Sequence, residues 1–407
     1  MKRPKILLFF LFIIHLSSWS QKTITTDGPC TDDIAQNAKG RWVPNYDLAP
    51  SVTKTQKQEA YNRLDALHNI LLKMFPQPVG VDVRVNRSAA NGYFGASRKY
   101  QYLADDRLTF DYIKKLPILT FSYFANFTPH YCAHTDKGIV FMPGNNNENS
   151  DGAGIVVNEF SGLANPPTGD DWTINGQPVG MMRSMITEKW KGYEMYGDVR
   201  GRGRSILIHR KGMLPYIPVT RKQYLDRCFA EATKMYDKMI EAEKQMPVRT
   251  REEQEKEKNA KLAGFEKDFG KDPKRLKSAV DYYLSGYKTD QQIRDERVES
   301  AKKLKEQEIK KFRDELEKTT SQGRLDSPAV IRVMYYSDLI FDIDPKTGSM
   351  LVTENPDYIR KDLPGYIPQF IVFTWKWNPD FYPAHKKYQE LFLQDFPIEK
   401  IQAMIDK

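Results

Sequence analysis

The chain has 407 residues, of which 40% are hydrophobic, 12% aromatic and 28% charged, and its net charge is +9 at pH 7. This is the composition of a folded globular protein, long enough for one large domain or two ordinary ones. So modest a positive charge does not indicate specific nucleic-acid binding, and three cysteines in this length exclude a disulfide scaffold.

Residues 1–20 read as a secretory signal peptide. Lys2, Arg3 and Lys5 form a positive start, and Ile6 to Ile14 is an apolar run too short to span a bilayer well. Ser18-Trp19-Ser20 then offers a small-residue cleavage site before Gln21. Losing those 20 residues and three cations from the chain of 407 and +9 would leave 387 residues and +6. Cys30 follows Asp27-Gly28-Pro29, which is not the small aliphatic sequence of a lipoprotein anchor. The expectation is an exported bacterial envelope protein, periplasmic, surface-bound or secreted, with no transmembrane helix after cleavage.

Residues 21–50 are polar and turn-rich and read as an extended segment. Ser51 to Met74 predicts a helix, because Leu64, Leu67, Ile70, Leu71 and Met74 recur at three- and four-residue steps before Pro76. From Val79 to His209 the pattern is one of strands. Val81 to Val85, Ile118 to Phe127, Gly138 to Met142 and Ile155 to Phe160 are candidates, with a hairpin through Tyr193 to Met195 and Ser205 to His209. Residues 220–325 are dense in Lys, Glu, Arg and Gln and predict long charged helices. Leu225, Cys228, Ala232, Met235, Met239, Ala242 and Met246 form a heptad seam. Strands return at Val330 to Phe341, Met350 to Val352 and Gln369 to Trp377, followed by short helices through Tyr388 to Phe392 and Ile398 to Ile405. The fold expected is α+β. A curved, mainly antiparallel sheet with an N-terminal helix, built from 51–219 and 326–407, is interrupted by a long charged helical insertion.

Chemistry is thinly marked. His130, Cys132 and His134 alternate, so on a strand they share one face, and imidazole and thiolate suit zinc or copper. His130 and His134 are the metal candidates. A Cys30–Cys132 disulfide is the competing use of that cysteine and the preferred pairing, with Cys228 a buried thiol on the helical stripe. Asn147, Asn149, Asp151 and Gly152 open like a calcium loop, but its twelfth position is Asn158 and Glu159 comes one residue late. The stretch reads as a polar turn.

Ser51-Val52-Thr53-Lys54 and Lys346-Thr347-Gly348 resemble two of the three short motifs of the penicillin-binding and β-lactamase families. The middle Ser-x-Asn element is missing, since Ser337-Asp338-Leu339 ends in leucine, and serine acyl transfer is set aside. Ser51 then reads as a helix cap and 346–348 as a hairpin turn. Without His-Glu-x-x-His, Gly-x-Ser-x-Gly or a Walker loop, the catalytic residues stay unassigned and no cofactor is expected.

Two binding constellations remain. Arg200, Arg202 and Arg204 alternate with Gly201 and Gly203, an arrangement able to grip phosphate, sulfate or an acidic polymer. Phe373, Trp375 and Trp377 share one face of a strand. Exposed, Trp375 and Trp377 would stack sugar rings; buried, they are core. The reading is a non-catalytic binding or structural protein of the envelope, with a polymer or protein partner. The alternative is a hydrolase acting on polysaccharide or peptidoglycan, with Trp375 or Trp377 lining its subsite.

Overall fold

The computed structural model describes residues 30–49, 52–102, 108–136, 138–142, 151–165, 173–174, 176–197, 202–332, 340–341, 344, 346–380 and 383–407. The leader-like residues 1–20, Ser51, Asn147, Asn149, Arg200 and 337–339 lie outside them. The fold is α+β, with mixed sheets that do not close into a barrel.

The N-terminal segment is more structured than expected. It holds a short helix, α1 (Asp32–Asn37), and a strand, β1 (Trp42–Leu48). β1 pairs in parallel with β2 (Val81–Tyr102). It is an edge strand, which is why it tolerates Pro44 and shows no strand pattern in sequence. Between them α2 (Lys54–Met74) starts at Thr53, not Ser51. Thr53 and Gln56 form a reciprocal capping box there.

β2 and β3 (Leu108–Pro129) form one long antiparallel hairpin. A two-stranded hairpin follows, β4 (Tyr131–Thr135) with β5 (Gly138–Met142). Next comes β6 (Asp151–Val157), buried along its whole length. Its beginning, Asp151-Gly152, is therefore strand and not a surface turn. After β7 (Ala164–Asn165), β8 (Thr173–Ile174) and β9 (Gln177–Met182) come β10 (Ser184–Trp190), β11 (Tyr193–Gly197) and β12 (Gly203–Ile208). β11 and β12 make the anticipated hairpin, with Met195 opposite Ile206.

β13 (Tyr216–Pro218) leads into four helices, α3 (Arg221–Lys244), α4 (Arg251–Phe269), α5 (Pro273–Gly286) and α6 (Asp290–Ser321). The chain returns as β14 (Val330–Ile331), β15 (Ser349–Glu354) and β16 (Ile371–Lys376), and ends in α7 (Pro383–Asp395) and α8 (Ile398–Gln402). The strand expected over 330–341 is confined, among the described residues, to β14.

The large sheet runs β1-β2-β3-β6-β16-β12-β11-β10. β16 thus lies at its centre, hydrogen-bonded to β6 on one side and β12 on the other. A second sheet runs β13-β15-β9-β7, with β14 on β15 and β8 on β9.

These elements stack in layers. On one face of the large sheet, Phe121, Ile155 and Phe373 pack under α2, α7 and α8 through Leu64, Leu71, Phe392 and Ile401. On the other, Val156, Leu207 and Val372 meet Met182, Tyr216 and Val352 of the second sheet. The back of that sheet, at Val179 and Leu351, takes Leu225, Phe312 and Leu316 from the base of α3 and α6. Strict alternation produces this. Phe121, Tyr123, Ala125 and Phe127 are buried under the helices, whereas Ser122, Phe124 and Asn126 face the other way.

The seam of the helical arm differs from the expected heptad. Leu225 and Ala232 are buried and Cys228 partly so, as the seam requires, but the stripe then continues through half-buried Tyr236 to buried Ile240. Met235 is 55% exposed, and Met239 and Met246 are exposed as well. The stripe follows the helix's own repeat of about 3.6 residues, and the heptad of 3.5 drifts off it. Two helices paired over this length need no supercoil to stay in contact.

Candidate functional site

The second sheet covers half of the large sheet's face and leaves the rest open. Along β6, Val156 is covered, while Gly154 and Gly152 face a cleft. Along β16 the same step runs from Val372 to Thr374 and Lys376. The cleft holds about 550 Å³.

Small residues floor it. Ser88 and Ser122 join across β2 and β3 through hydroxyls 2.7 Å apart, and Thr374 adds another hydroxyl from β16. Gly154 is required, because a Cβ there would lie 2.3 Å from the Phe124 ring and 2.4 Å from the Tyr123 carbonyl. Backbone and hydroxyls are therefore what the floor presents, with Phe124 as an apolar wall.

Three cations surround this floor: Arg183, Arg204 and Lys376. Arg183 is placed by its backbone N–H, which donates to Leu163 O at 2.8 Å. Arg204 lies on β12 opposite Trp375. Lys376 Nζ is 3.6 Å from Asp151 Oδ1, a fully buried carboxylate behind the rim. Asp151 Oδ2 in turn lies 3.0 Å from His385 Nδ1, and His385 Nε2 lies 3.0 Å from Phe127 O. A carbonyl accepts only, so Nε2 carries hydrogen and one further proton sits between Nδ1 and Oδ2. Among the described residues lining the cleft, Glu159 is the sole carboxylate; it is exposed and accepts from Ser161 Oγ.

A second hollow, of about 380 Å³, adjoins the first. Arg204 and Trp375 line both. Its rim carries Arg202, whose Nη2 is 3.2 Å from Asp380. Of the predicted arginine cluster, Arg202 and Arg204 thus flank adjoining hollows, and Arg200 lies outside the described residues.

The aromatic row is core. Trp375 is 5% exposed and Trp377 2%. Trp375 packs against Trp190 at 4.6 Å between ring centroids, and Trp377 against Phe127 at 5.1 Å. Neither ring can stack a sugar from solvent, so the platform version of the hydrolase reading does not stand. α7 and α8 close over the row because β16 is central and its face needs a cover.

The structure does not bring His130 and His134 together. His130 is buried, with Nε2 3.3 Å from Asp82 Oδ1, while His134 is exposed on β4. Burial opposes ionisation of Asp82, but His130 and Arg41, through hydrogen bonds and charge, together outweigh it, so this carboxyl titrates below its ordinary range. Cys132 is disulfide-bonded to Cys30, which removes its thiolate. No cluster of three potential metal ligands occurs among the described residues. Cys228 is part-buried on α3, and burial pushes its thiol up to about 11.

The cleft residues Ser88, Ser122, Arg183 and Lys376 were not legible from sequence. The available signal was the run of small polar residues alternating with aromatics along β3.

No known protein family, curated protein or solved structure matches this chain.

Proposed function

We propose that this is an exported, non-catalytic binding protein whose ligand is an anionic, hydroxyl-rich polymer segment, such as an acidic polysaccharide. The supporting observation is the lining of the open half of the large sheet. Arg183, Arg204 and Lys376 supply positive charge around a floor of serine and threonine hydroxyls. Guanidinium groups suit carboxylate and sulfate through paired N–H donors, and hydroxyl floors suit polyols. Among the described residues lining the cleft, Glu159 is the one carboxylate, which argues against glycoside hydrolysis, since that uses two placed across the scissile bond. The Cys30–Cys132 disulfide supports an oxidising compartment and hence export.

The test is affinity electrophoresis and calorimetry with a polyuronate, a sulfated glycan and neutral dextran. Binding of the anionic polymers, weakened roughly tenfold by Arg183→Ala or Lys376→Ala, supports the reading. Equal binding of dextran, or release of new reducing ends during incubation, overturns it.

A further inference from the structure

Arg221 is the first residue of α3, at the root of the helical arm, and is only 7% exposed. Its guanidinium carbon lies 4.7 Å from the Phe341 ring centroid. Its Nε is sealed from solvent and meets no acceptor. Among the described residues no carboxylate forms an ion pair with it.

Burial, and then the neighbouring Arg324, work against the Arg221 charge, while Glu315 of α6 favours it. Glu315 is already engaged. Lys318 Nζ donates to its Oε2 at 3.2 Å and Thr319 Oγ1 to its Oε1 at 3.4 Å. The turn after α6 brings these groups together. Arg221 N donates to Ser327 O at 2.9 Å, Lys222 N to Leu325 O at 3.0 Å, and Arg324 N to Thr319 O at 3.0 Å. The N-terminus of α3 adds the positive end of its dipole to the same place.

An arginine stays protonated inside a protein, so Arg221 cannot escape burial by losing its proton. A charge taken out of water without a counterion is strongly destabilising, and contact with the Phe341 ring recovers only part of that loss. Two guanidiniums beside one occupied carboxylate leave the root of the arm short of negative charge. We propose that Arg221 and Arg324 hold a small oxyanion there, phosphate or sulfate. A guanidinium fork offers paired N–H donors to two oxygens of such an ion. With so little of Arg221 exposed, a polymer chain does not reach it, so this site is separate from the cleft. The ion ties the start of α3 to the 324–327 turn and stabilises the folded chain by mass action.

The full chain is unfolded thermally in sodium phosphate, sodium sulfate and sodium chloride at matched ionic strength. Phosphate and sulfate stabilise proteins generally by exclusion from their surface, so the quantity read is the part of the rise that saturates. In the wild type the midpoint is expected to rise by about 3 °C and level off below about 10 mM phosphate. Arg221→Met should abolish that rise, and in chloride it should be at least as stable as the wild type, because a buried unpaired charge is gone. Arg324→Ala should raise the half-saturating concentration about threefold. If Arg221→Met does not fold, Arg221→Lys keeps the charge without the fork and should raise that concentration about tenfold. A wild type with no saturable rise overturns the proposal. So does a rise that survives Arg221→Met, or one that Arg183→Ala in the cleft removes. An Arg221→Met variant that loses the same amount in phosphate and in chloride also overturns it, since the chain would then supply the counterion itself.

Discussion

His385 Nδ1 lies 3.0 Å from Asp151 Oδ2, both side chains are sealed from solvent, and Asp151 Oδ1 faces the half-exposed Lys376 Nζ at 3.6 Å. The histidine comes from α7 and the aspartate from the centre of the large sheet, so this pair clamps the C-terminal helices onto the strands. Removing one member of a buried, hydrogen-bonded pair leaves the other unsatisfied. His385→Ala is expected to lower unfolding free energy by about 3–5 kcal/mol. Lys376→Ala, at a half-exposed site, should cost about 1 kcal/mol or less. Urea unfolding of both variants checks this; equal losses would show that the buried pair is not the clamp.

The arm's seam makes a sharp pair of expectations. Ile240 is buried and Met239, its neighbour in sequence, is exposed. Ile240→Ala should cost about 2–3 kcal/mol, while Met239→Ala should stay within about 0.5 kcal/mol. The reverse order would restore the heptad seam.

His68 Nδ1 lies 2.7 Å from the Tyr123 hydroxyl, beside a hollow of about 460 Å³ that Trp42 and Arg87 also line. Burial, and then the Arg87 charge, lower its pKa from 6.5, with Asp65 opposing. The unfolded chain therefore binds the proton more readily than the native one. Stability should fall as pH drops below about 6.5 and level off once the native His68 is protonated too. His68→Gln keeps an acceptor for the tyrosine and removes the titration. The difference in urea midpoint between wild type and variant, measured at pH 7 and again in mild acid, should change in that direction. A constant difference rules the coupling out.

Cys30 and Cys132 close a loop of 102 residues in sequence. Cutting that link frees α1 and the β4–β5 hairpin from each other. Substituting both cysteines by serine should cost about 2–5 kcal/mol. The measurement is thermal unfolding of the double variant against the oxidised parent. An unchanged midpoint would mean the bridge restrains neither state.

Where a segment carries its own period, sequence and structure agree. The leucine stripe of α2, the strand ends of β5 and β11, and the charged run of α3 to α6 each announce themselves locally. β1 did not, because an edge strand with a proline has no alternation to display. Within α3 the start of the stripe was legible but its exact repeat was not. Leu225, Cys228 and Ala232 suit both repeats, and only the presence of α6 selects Ile240 over Met239.

The site divides in the same way. Arg202 and Arg204 stood out as a cluster on one short stretch. Arg183, Lys376, Ser88 and Ser122 come from four separate strands or connections, and no spacing in the chain relates them. Trp375 and Trp377 were visible as one face of a strand, but not whether that face was dry.

Sequence alone therefore determined the α+β class, helix α2 and the charged arm, because helix and strand periods arise from interactions a few residues apart. Tertiary structure decided which face is covered. β16 pairs at the sheet's centre with strands far earlier in the chain, α7 folds over its tryptophans, and the second sheet stops short of Thr374 and Lys376. Burial is a property of what packs on a surface, and the cleft exists because that cover ends there.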